Sequence, residues 1–474
     1  MHSAYSPPFT LFLPQGNHPS SIRCQEILRE LSGKRLVCLG WWGTQQVVVK
    51  VFPRRRQSRR YWQREDRGVR ALAARGILTP EILYSGSLAE EQGDVVVLPF
   101  LATGMTALQL WQEAADDDAR QRLLGAMVVL FAHHHQQGVC QRDLHLGNFM
   151  AVGEMIHTLD GADIVVSRRE VGIRKALANL ALFWAQLDPA YDQLVDILFP
   201  GYCRARGWSC SAVLCQQLKN RIAASRRWRR EKYLKKIFRD CSAVVRCRDT
   251  GRLILCSRRY YTPPVRDFLM DPDPWLYHSA TRLLKDGNSS TVATVVVDGH
   301  PLVVKRYNSK GFIHGIKRAF RRTRAARSWR NAHLLDFYGI NTPEPVALIE
   351  RQRLAVRLPA YYVAALADGI LASDYFAVAA VSDELRHMAA KVASVIKTMH
   401  DQRISHGDLK ASNIVLTAHG PALMDLDDMQ QHRSVAGFAK AARRDVERFL
   451  RNWENYPAVA QLFSSLMKGK EARS

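Results

Sequence analysis

Two stretches of the chain carry apolar residues at the spacing of an amphipathic helix. The positions that share this spacing are Leu123, Met127, Leu130 and Phe131 in the first stretch and Met388, Val392, Val395 and Ile396 in the second. Apolar residues that recur every three or four positions lie on one face of a helix, where they pack against a core. The pattern therefore predicts one long amphipathic helix in each half of the chain.

A short β-branched run precedes each of these helices and predicts a strand. The runs are VVVKVF (47–52) and LVVKRY (302–307), and each contains one lysine. A Thr-Pro turn lies between the strand and the long helix in both halves, within RGILTPEIL (75–83) and YGINTPEPV (338–346). The same order of elements is therefore predicted twice.

Polar residues also occur at matching positions in the two halves. An offset of 265 residues places His135 on His400, Asp143 on Asp408, Asn148 on Asn413 and Asp160 on Asp425. The Thr-Pro segments match at an offset of 263 and the strand lysines at 255, differences that surface loops accommodate at small cost. We therefore predict an internal repeat of domain size.

Length and composition fit two globular domains. The chain has 474 residues, which exceeds one ordinary core, and it is 47% apolar and 24% charged, as soluble folded proteins are. Its apolar runs are too short for a membrane span, the N-terminus does not read as a secretory signal, and nine cysteines without a Cys-x-x-Cys pair fit reduced thiols. The basic segment 219–239 is predicted to be a solvated helix or a basic arm, so we place the junction near residue 240, giving domains 1–240 and 241–474.

Each half contains a lysine, an aspartate, an asparagine and a second aspartate in the same order. The sets are Lys50, Asp143, Asn148 and Asp160 in the first half and Lys305, Asp408, Asn413 and Asp425 in the second. The two aspartates are 17 positions apart in both. A single Asp-x-x-x-x-Asn is typical of an Asx turn, but the ordered set found twice needs a common chemical reason.

Phosphoryl transfer from a nucleoside triphosphate explains this set, because it depends on positioning and on neutralising negative charge. The strand lysine can hold phosphate oxygens. The first aspartate can orient the acceptor hydroxyl and accept its proton. The asparagine and the second aspartate offer the oxygen ligands that magnesium prefers. ATP and Mg²⁺ are therefore the expected cofactors.

Both halves resemble the protein-kinase-like fold. The segments GINTPEPVALIE, HGDLKASNIVL and ALMDLDDM of the second half resemble the bacterial lipopolysaccharide kinase family, whose members phosphorylate core sugars such as heptose or Kdo. The resemblance covers roughly residues 25–190 and 280–455. It implies an α+β protein with two tandem bilobal kinase-like domains, and a sugar hydroxyl of the lipopolysaccharide core, with heptose favoured, as acceptor.

The two halves depart from the kinase pattern in different ways. Neither has a Gly-x-Gly-x-x-Gly phosphate loop, and the candidate segments are LGWWGTQ (39–45) and KDGNSST (285–291), the latter either a phosphate cradle or a hairpin turn. The helix residue expected to pair with the strand lysine is Glu65 in the first half and Ser328 in the second. Because such a pair orients the lysine, Glu65 favours the first site as the active one. The closer resemblance of the second half to the lipopolysaccharide kinase segments favours the second. Both sites stay candidates.

The net charge of +24 predicts polyanionic partners. Segment 54–70 carries eight arginines, and segment 317–330 carries seven basic residues, of which Lys317, Arg321 and Arg324 are predicted to share a helix face. Nucleic-acid-binding motifs are absent, so nucleic acid is disfavoured. A phosphorylated core glycolipid and the anionic inner face of the inner membrane fit the charge, with a cytoplasmic, peripherally bound protein. A merely solvated basic surface is the alternative.

Two other functions are compatible with the sequence. One is a nucleotide-binding scaffold in which one or both domains lack transfer activity. Ser328 and the lack of a Gly-x-Gly-x-x-Gly phosphate loop favour this function. The other is a kinase for a protein or another small molecule. The retained aspartates and asparagines favour an enzyme.

Overall fold

The computed structural model describes residues 6–14, 16, 20–31, 34–89, 92–278, 281–308, 322–353 and 356–468. The chain forms two compact units, Met1–Trp228 and Arg229–Ser474. They are called the N-terminal unit and the C-terminal unit.

The N-terminal unit opens with a six-stranded antiparallel sheet in the order β1-β2-β3-β4-β6-β5. Its strands are β1 (Phe9–Phe12), β2 (Ser21–Leu31), β3 (Arg35–Trp42), β4 (Gln45–Pro53), β5 (Tyr84–Ser87) and β6 (Gly93–Pro99). Val47, Val49 and Val51 of β4 are fully buried on one face. Because side chains alternate along a strand, Lys50 lies on the opposite face.

Helix α1 (Arg56–Ala73) approaches the segment after Asp160 very closely. A Cβ atom added to Gly68 would lie 1.8 Å from the carbonyl oxygen of Gly161. Any larger side chain at residue 68 would therefore push α1 away. This close approach brings Glu65, one turn earlier on α1, next to Asp160.

The rest of the N-terminal unit is mainly helical. Its helices are α2 (Ala107–Glu113), α3 (Asp117–Gln136), α4 (Ile173–Trp184) and α5 (Leu194–Ala205), and its short strands are β7 (Met105–Thr106), β8 (Val139–Gln141), β9 (Phe149–Val152), β10 (Met155–Thr158) and β11 (Ile164–Val166). Helix α3 begins where the Asp116 side chain accepts the N–H of Ala119 at 2.7 Å. Met127 and Phe131 are buried, so the first predicted amphipathic helix is confirmed.

The C-terminal unit also opens with an antiparallel sheet, in the order β12-β13-β17-β19-β16-β15-β14, with β18 paired to β17. Its strands are β12 (Val244–Asp249), β13 (Arg252–Ser257), β14 (Arg282–Gly287), β15 (Ser290–Val297), β16 (His300–Tyr307), β17 (Pro345–Arg353), β18 (Val356–Arg357) and β19 (Ala360–Ala365). Lys305 lies on β16, between Val292 of β15 and Tyr362 of β19. The lysine therefore sits on an interior strand.

The helices and remaining strands of this unit enclose an aromatic core. The helices are α7 (Pro263–Met270), α8 (Asp273–Leu276), α9 (Arg324–Phe337), α10 (Ala372–Tyr375), α11 (Asp383–Asp401), α12 (Val435–Leu450) and α13 (Pro457–Lys468). The strands are β20 (Ile370–Leu371), β21 (Ile404–Ser405), β22 (Ile414–Thr417), β23 (Gly420–Leu423) and β24 (Gln430–Gln431). Val392 and Ile396 of α11 are buried, which confirms the second predicted amphipathic helix. Trp453 stacks on Phe463 at 5.4 Å between ring centres and anchors the end of α12.

The basic segment 219–239 is largely a packed helix. Helix α6 (Ala212–Lys236) covers most of it, and the division between the units falls within this helix. The guanidinium of Arg226 is 2.7 Å from the carboxylate of Asp192. The predicted domain limits, 1–240 and 241–474, place the junction twelve residues further along, just past the end of α6.

Helices and antiparallel sheets occur together in both units, so the predicted α+β class is confirmed. The assignment of two tandem protein-kinase-like domains stays a prediction. Within the described residues, the helices are too short or too polar to cross a membrane.

Candidate active sites

Lys50 and Glu65 form a buried ion pair in the N-terminal unit. Nζ of Lys50 donates to Oε1 of Glu65, and it also donates to the carbonyl oxygen of Leu159 at 2.8 Å. The N–H of Gly161 donates to the same carboxylate oxygen at 3.3 Å. The lysine head group is therefore held between β4, α1 and the segment that precedes Asp160.

Arg35, the first residue of β3, lies between the two acidic side chains of this site. Its Nη1 is 3.5 Å from Oδ2 of Asp160 and 3.6 Å from Oε2 of Glu65. Burial raises the pKa of Glu65, although the charge of Lys50 opposes this. Burial alone would also raise the pKa of Asp160, but Lys50, the hydrogen bond with Glu65 and Arg35 lower it below its usual value. Two cations thus already balance two carboxylates in this site.

Asp143 and Asn148 lie on a compact loop that ends in a 3₁₀ turn, Leu146–Asn148. Nδ2 of Asn148 donates to the carbonyl oxygen of Asp143 at 3.0 Å, and the N–H of Leu159 donates to the carbonyl oxygen of Asn148 at 2.9 Å. The side chain of Asp143 is exposed and makes no hydrogen bond or ion pair with the described residues. The loop thus brings Asn148 close to the segment that carries Asp160.

A chain of buried hydrogen bonds supports this loop from α3 and α4. Arg206 donates to the Tyr202 hydroxyl at 3.0 Å, and that hydroxyl donates to Nδ1 of His135 at 2.7 Å. Nε2 of His135 donates to Asn179 at 3.0 Å, and Asn179 donates to the carbonyl oxygen of Gln141 at 2.7 Å. Burial lowers the pKa of His135 to about 4, so the ring is neutral, as this donor and acceptor pattern requires.

Lys305 contacts Asp425 directly in the C-terminal unit. Its Nζ donates to Oδ1 of Asp425 and is 3.9 Å from Oδ1 of Asp427. Burial alone would raise the pKa of Asp425, but the charge of Lys305 lowers it. The backbone of Asp425 is left-handed, with φ of 57°, a conformation that residues other than glycine adopt mainly at special sites.

Ser328, at the position that matches Glu65, bonds to a different residue. Its hydroxyl is 2.8 Å from the hydroxyl of Tyr307. The acidic partner close to α9 is instead Asp427, which is buried and 2.6 Å from the guanidinium of Arg324. The absence of a glutamate at this position therefore does not leave Lys305 without acidic partners.

Asp408 and Asn413 repeat the loop arrangement of the N-terminal unit. Nδ2 of Asn413 donates to the carbonyl oxygen of Asp408 at 2.8 Å. The N–H of Met424, the residue before Asp425, donates to the carbonyl oxygen of Asn413 at 2.8 Å. The hydrogen-bonded backbone thus brings the loop to the start of the segment that carries Asp425.

Asp445 of α12 anchors the start of this loop. Its carboxylate accepts the backbone N–H groups of His406 at 2.6 Å and of Gly407 at 2.9 Å. Asp445 takes the place that Asn179 of α4 has in the N-terminal unit, although Asn179 donates to a carbonyl oxygen instead. Both loops are therefore held by a polar residue on the helix that follows.

The carboxylate of Asp408 differs from that of Asp143 in its surroundings. Nζ of Lys410 is 3.1 Å and Nη2 of Arg448 is 2.9 Å from the same oxygen, Oδ1, of Asp408. Two cations thus converge on the aspartate that would orient an acceptor, whereas no cation of the described residues forms an ion pair with Asp143.

The segment KDGNSST forms a hairpin turn near the lysine of its unit. It joins β14 to β15, with Gly287 paired to Ser290. Lys305 is opposite Val292, so the turn begins two residues away along β15, at about 7 Å. A turn at this distance would offer N–H and hydroxyl groups to phosphates held by the lysine, if the lysine binds them as predicted.

The segment LGWWGTQ lies at the wrong end of its strands for this role. Its turn joins Trp42 of β3 to Gln45 of β4, and Lys50 lies five residues beyond Gln45, at about 17 Å. The hairpin nearer to Lys50 is the one between Leu31 and Arg35. The sequence candidate at 39–45 therefore cannot contact the phosphates that Lys50 would bind.

The oxygen atoms of the C-terminal site fit a magnesium ion. Because Asn413 uses its Nδ2 on the backbone of Asp408, its Oδ1 is left as an acceptor, and the side chain of Asp425 is 37% exposed. Mg²⁺ typically takes one or two such protein ligands together with substrate phosphates. In the described parts of the chain, no three His, Cys, Asp or Glu side chains form a metal-binding group by themselves. In the N-terminal unit, Arg35 lies against Asp160 and would compete with Mg²⁺ for this carboxylate.

The two basic segments differ in their exposure. Arg56, Arg59 and Arg60 of α1 are exposed. Helix α9 begins only at Arg324, after the cap residue Thr323, and Arg324 is paired with Asp427. Lys317 and Arg321, predicted to share a face with Arg324, lie outside the described residues.

Several residues with polar roles in these sites were not predicted from the sequence. Among them are Arg35, Lys410, Asp427, Asp445 and Arg448. Asp427 had a signal, because it follows Asp425 in the acidic run DLDD. Asp445 matches Asn179 at an offset of 266, one more than the offset used, so a polar residue on each following helix was also detectable.

Residues 277–469 match the model of the lipopolysaccharide kinase (Kdo/WaaP) family. The match lies within the C-terminal unit and covers less than half of the chain. It supports a kinase and an acceptor related to lipopolysaccharide. No curated protein matches the chain.

Proposed function

We propose that the C-terminal unit transfers the γ-phosphoryl group of ATP to a sugar hydroxyl of the lipopolysaccharide core. The observation that carries this proposal is the contact of Lys305 with Asp425, next to the Asp408–Asn413 loop and inside the segment that matches the family. Positioning and charge neutralisation are the main requirements of phosphoryl transfer, and these residues supply both.

Each residue has one role in this proposal. The carboxylate of Asp408 accepts a hydrogen bond from the acceptor hydroxyl and takes its proton as the oxygen attacks phosphorus. Lys305 exchanges its contact with Asp425 for phosphate oxygens. Asn413 and Asp425 would hold Mg²⁺, which neutralises phosphate charge when bound. Asp445 fixes the loop so that Asp408 and Asn413 keep their spacing.

The N-terminal unit is proposed to be a second kinase-like domain of reduced or absent transfer activity. Glu65 by itself favoured this site, because it orients Lys50. Against that, the side chain of Asp160 is 16% exposed and has Arg35 against it, whereas that of Asp425 is 37% exposed, so Mg²⁺ would reach Asp160 less easily. A scaffold that binds nucleotide without transferring phosphate is the corresponding alternative for this unit.

Among core sugars, the proposal names heptose as acceptor, with Kdo as the alternative. The place of action is the cytoplasmic face of the inner membrane, where the exposed arginines of α1 meet anionic lipid. A protein or another small molecule as acceptor is the rival that the experiment below separates.

The test uses the full-length protein, γ-labelled ATP, magnesium and two purified acceptors. One acceptor is lipid A with Kdo alone, and the other carries Kdo and inner-core heptose. Label in the heptose-containing acceptor only supports the proposal. Label in both acceptors would assign Kdo as the phosphorylated sugar. Label in neither acceptor, with transfer to a protein or small molecule instead, would refute a core-sugar kinase.

A further inference from the structure

A cavity of about 390 Å³ is lined in part by two residues that contact Asp408. The described residues that line it are Lys410, Arg448, Arg451 and Asn452. Lys410 and Arg448 are the two cations that contact Asp408. The cavity therefore adjoins the carboxylate proposed to orient the acceptor.

The cavity has an excess of positive charge. Its three cations are matched by one carboxylate, that of Asp408, within ion-pair distance among the described residues. Arg451 is exposed, and its Nε donates only weakly, at 3.4 Å, to the carbonyl oxygen of Glu447. Three positive charges and one negative charge leave a surplus of two, which a doubly charged anion would balance.

This charge is specific to the C-terminal unit. The helix residues that hold the two loops, Asn179 and Asp445, are followed three and six positions later by different side chains. They are Leu182 and Ala185 in the N-terminal unit, but Arg448 and Arg451 in the C-terminal unit. A basic lining is therefore not required by the loop and helix arrangement itself.

We infer that this cavity binds a phosphomonoester carried by the acceptor, close to the hydroxyl that is phosphorylated. The inference rests on the proposed function and adds the substrate class that the site selects. Two arginines offer paired N–H donors that suit phosphate oxygens, and the dianion matches the surplus charge. The volume lies in the range of small-molecule sites.

Binding of that phosphate also changes the surroundings of Asp408. Phosphate oxygens compete with its Oδ1 for Lys410 and Arg448, so the carboxylate is released to accept the hydrogen bond of the acceptor hydroxyl. An acceptor without phosphate leaves Asp408 in its ion pairs. The cavity thus makes transfer depend on an anionic group that does not itself react.

Arg451→Gln in the full-length protein tests this inference, because Arg451 lines the cavity without contacting Asp408. Arg444→Gln is the matched control, since Arg444 is exposed on the same helix and does not line the cavity. Transfer is measured with heptose-containing core acceptor before and after enzymatic removal of its phosphates. We expect removal of the phosphates and Arg451→Gln each to raise KM by about tenfold or more, and the two effects not to add. Arg444→Gln should retain the wild-type KM and its sensitivity to phosphate removal.

Equal use of both acceptors by the wild type, or an unchanged KM in Arg451→Gln, would overturn the inference. A KM that rises on reduction of the acceptor carboxyl groups, and not on phosphate removal, would assign the cavity to a carboxylate instead. If no acceptor is phosphorylated, the proposed function fails, and the cavity is judged by calorimetric titration with inorganic phosphate at saturating magnesium and ADP. Weaker phosphate binding in Arg451→Gln than in Arg444→Gln then supports the cavity, and equal binding refutes it.

Discussion

Lys305 donates to the carboxylate of Asp425, a residue whose side chain is 37% exposed. In the N-terminal unit the matching lysine, Lys50, is paired with Glu65, which is fully buried. An exposed partner can be exchanged for phosphate oxygens at small cost, whereas loss of a lysine from a buried carboxylate leaves an uncompensated charge. The same lysine position is therefore suited to ligand exchange in one unit and to stability in the other.

Asp408→Asn is expected to lower the transfer rate at least about 10²-fold, because the amide cannot accept the proton of the acceptor hydroxyl. Asp143→Asn is the matched change in the N-terminal unit and should leave the rate within about twofold. Steady-state kcat with core acceptor measures both, and nucleotide affinity should stay unchanged in both. The reverse ranking of the two variants would assign catalysis to the N-terminal unit.

Asp425→Asn is expected to weaken magnesium-dependent ATP binding by about tenfold or more, since the neutral amide is a poorer ligand of Mg²⁺. Asp428→Asn makes the same chemical change three residues later, where the carboxylate is exposed and 3.8 Å from Arg327. Calorimetric titration with ATP at fixed magnesium compares the two. Equal affinities in the two variants would remove Asp425 from the proposed magnesium site.

The fold class and both long helices could be predicted, because hydrophobic periodicity is a property of the sequence itself. The Asp-x-x-x-x-Asn loops could be placed for the same reason, since their spacing is local. The amide of Asn148 and that of Asn413 both turn back to the carbonyl oxygen of the loop aspartate.

Ion pairs between residues far apart along the chain could not be predicted. Arg35 reaches Asp160 across 125 positions of the chain, and nothing near Arg35 marks it as a partner of an acidic residue. The candidate loop at 39–45 was misplaced because a glycine-rich turn shows where a hairpin reverses but not which end of the strand faces the lysine. Register decides this, and register depends on the whole sheet.

Lys50→Met should destabilise the protein by about 3 kcal/mol, because it leaves the buried carboxylate of Glu65 without its closest cation. Adding Glu65→Gln should recover part of this loss. Lys175→Met, at an exposed position, is the control and should change stability by less than about 0.5 kcal/mol. Denaturant unfolding that shows equal stability for Lys50→Met and the control would mean that Arg35 alone compensates Glu65.

The N-terminal unit should lose stability between pH 7.5 and pH 5. Burial lowers the pKa of His135 to about 4 from an ordinary value of 6.5, so the unfolded chain binds more protons than the folded one in this window. The stability that the neutral ring contributes is complete above pH 6.5 and is lost as the pH falls toward 4. The loss by pH 5 is about 2 kcal/mol. His134, whose pKa burial lowers to about 3, acts in the same direction.

Denaturant unfolding at the two pH values measures this loss. His135→Gln removes one titrating group, so the difference between pH 7.5 and pH 5 should shrink by about 2 kcal/mol. His133→Gln, at the exposed neighbouring position, should leave the difference unchanged. If the stability difference between pH 7.5 and pH 5 is the same in both variants, His135 is already charged at pH 5 in the folded protein.

The protein is expected to bind vesicles that contain anionic lipid, through the exposed arginines at the start of α1. Replacing Arg56, Arg59 and Arg60 by serine removes three charges, each contributing roughly 1 kcal/mol near an anionic surface, so affinity should fall by up to about 100-fold. The control removes three exposed arginines from elsewhere in the same unit by changing Arg168, Arg169 and Arg174 to serine. Arg324→Ser is unsuitable as a test, because that arginine pairs with Asp427.

Co-sedimentation at increasing salt separates electrostatic binding from insertion of apolar side chains. The Debye length falls from about 10 Å at 0.1 M salt to about 3 Å at 1 M, so binding that depends on arginines should be lost at the higher concentration. The control triple variant should bind as the wild type does at 0.1 M, since net charge alone does not position a basic surface on the membrane. Equal losses in both triple variants would mean that overall charge, and not α1, attracts the protein. Binding that survives 1 M salt, or that is as strong on neutral vesicles, would show that apolar contacts hold the protein on the membrane.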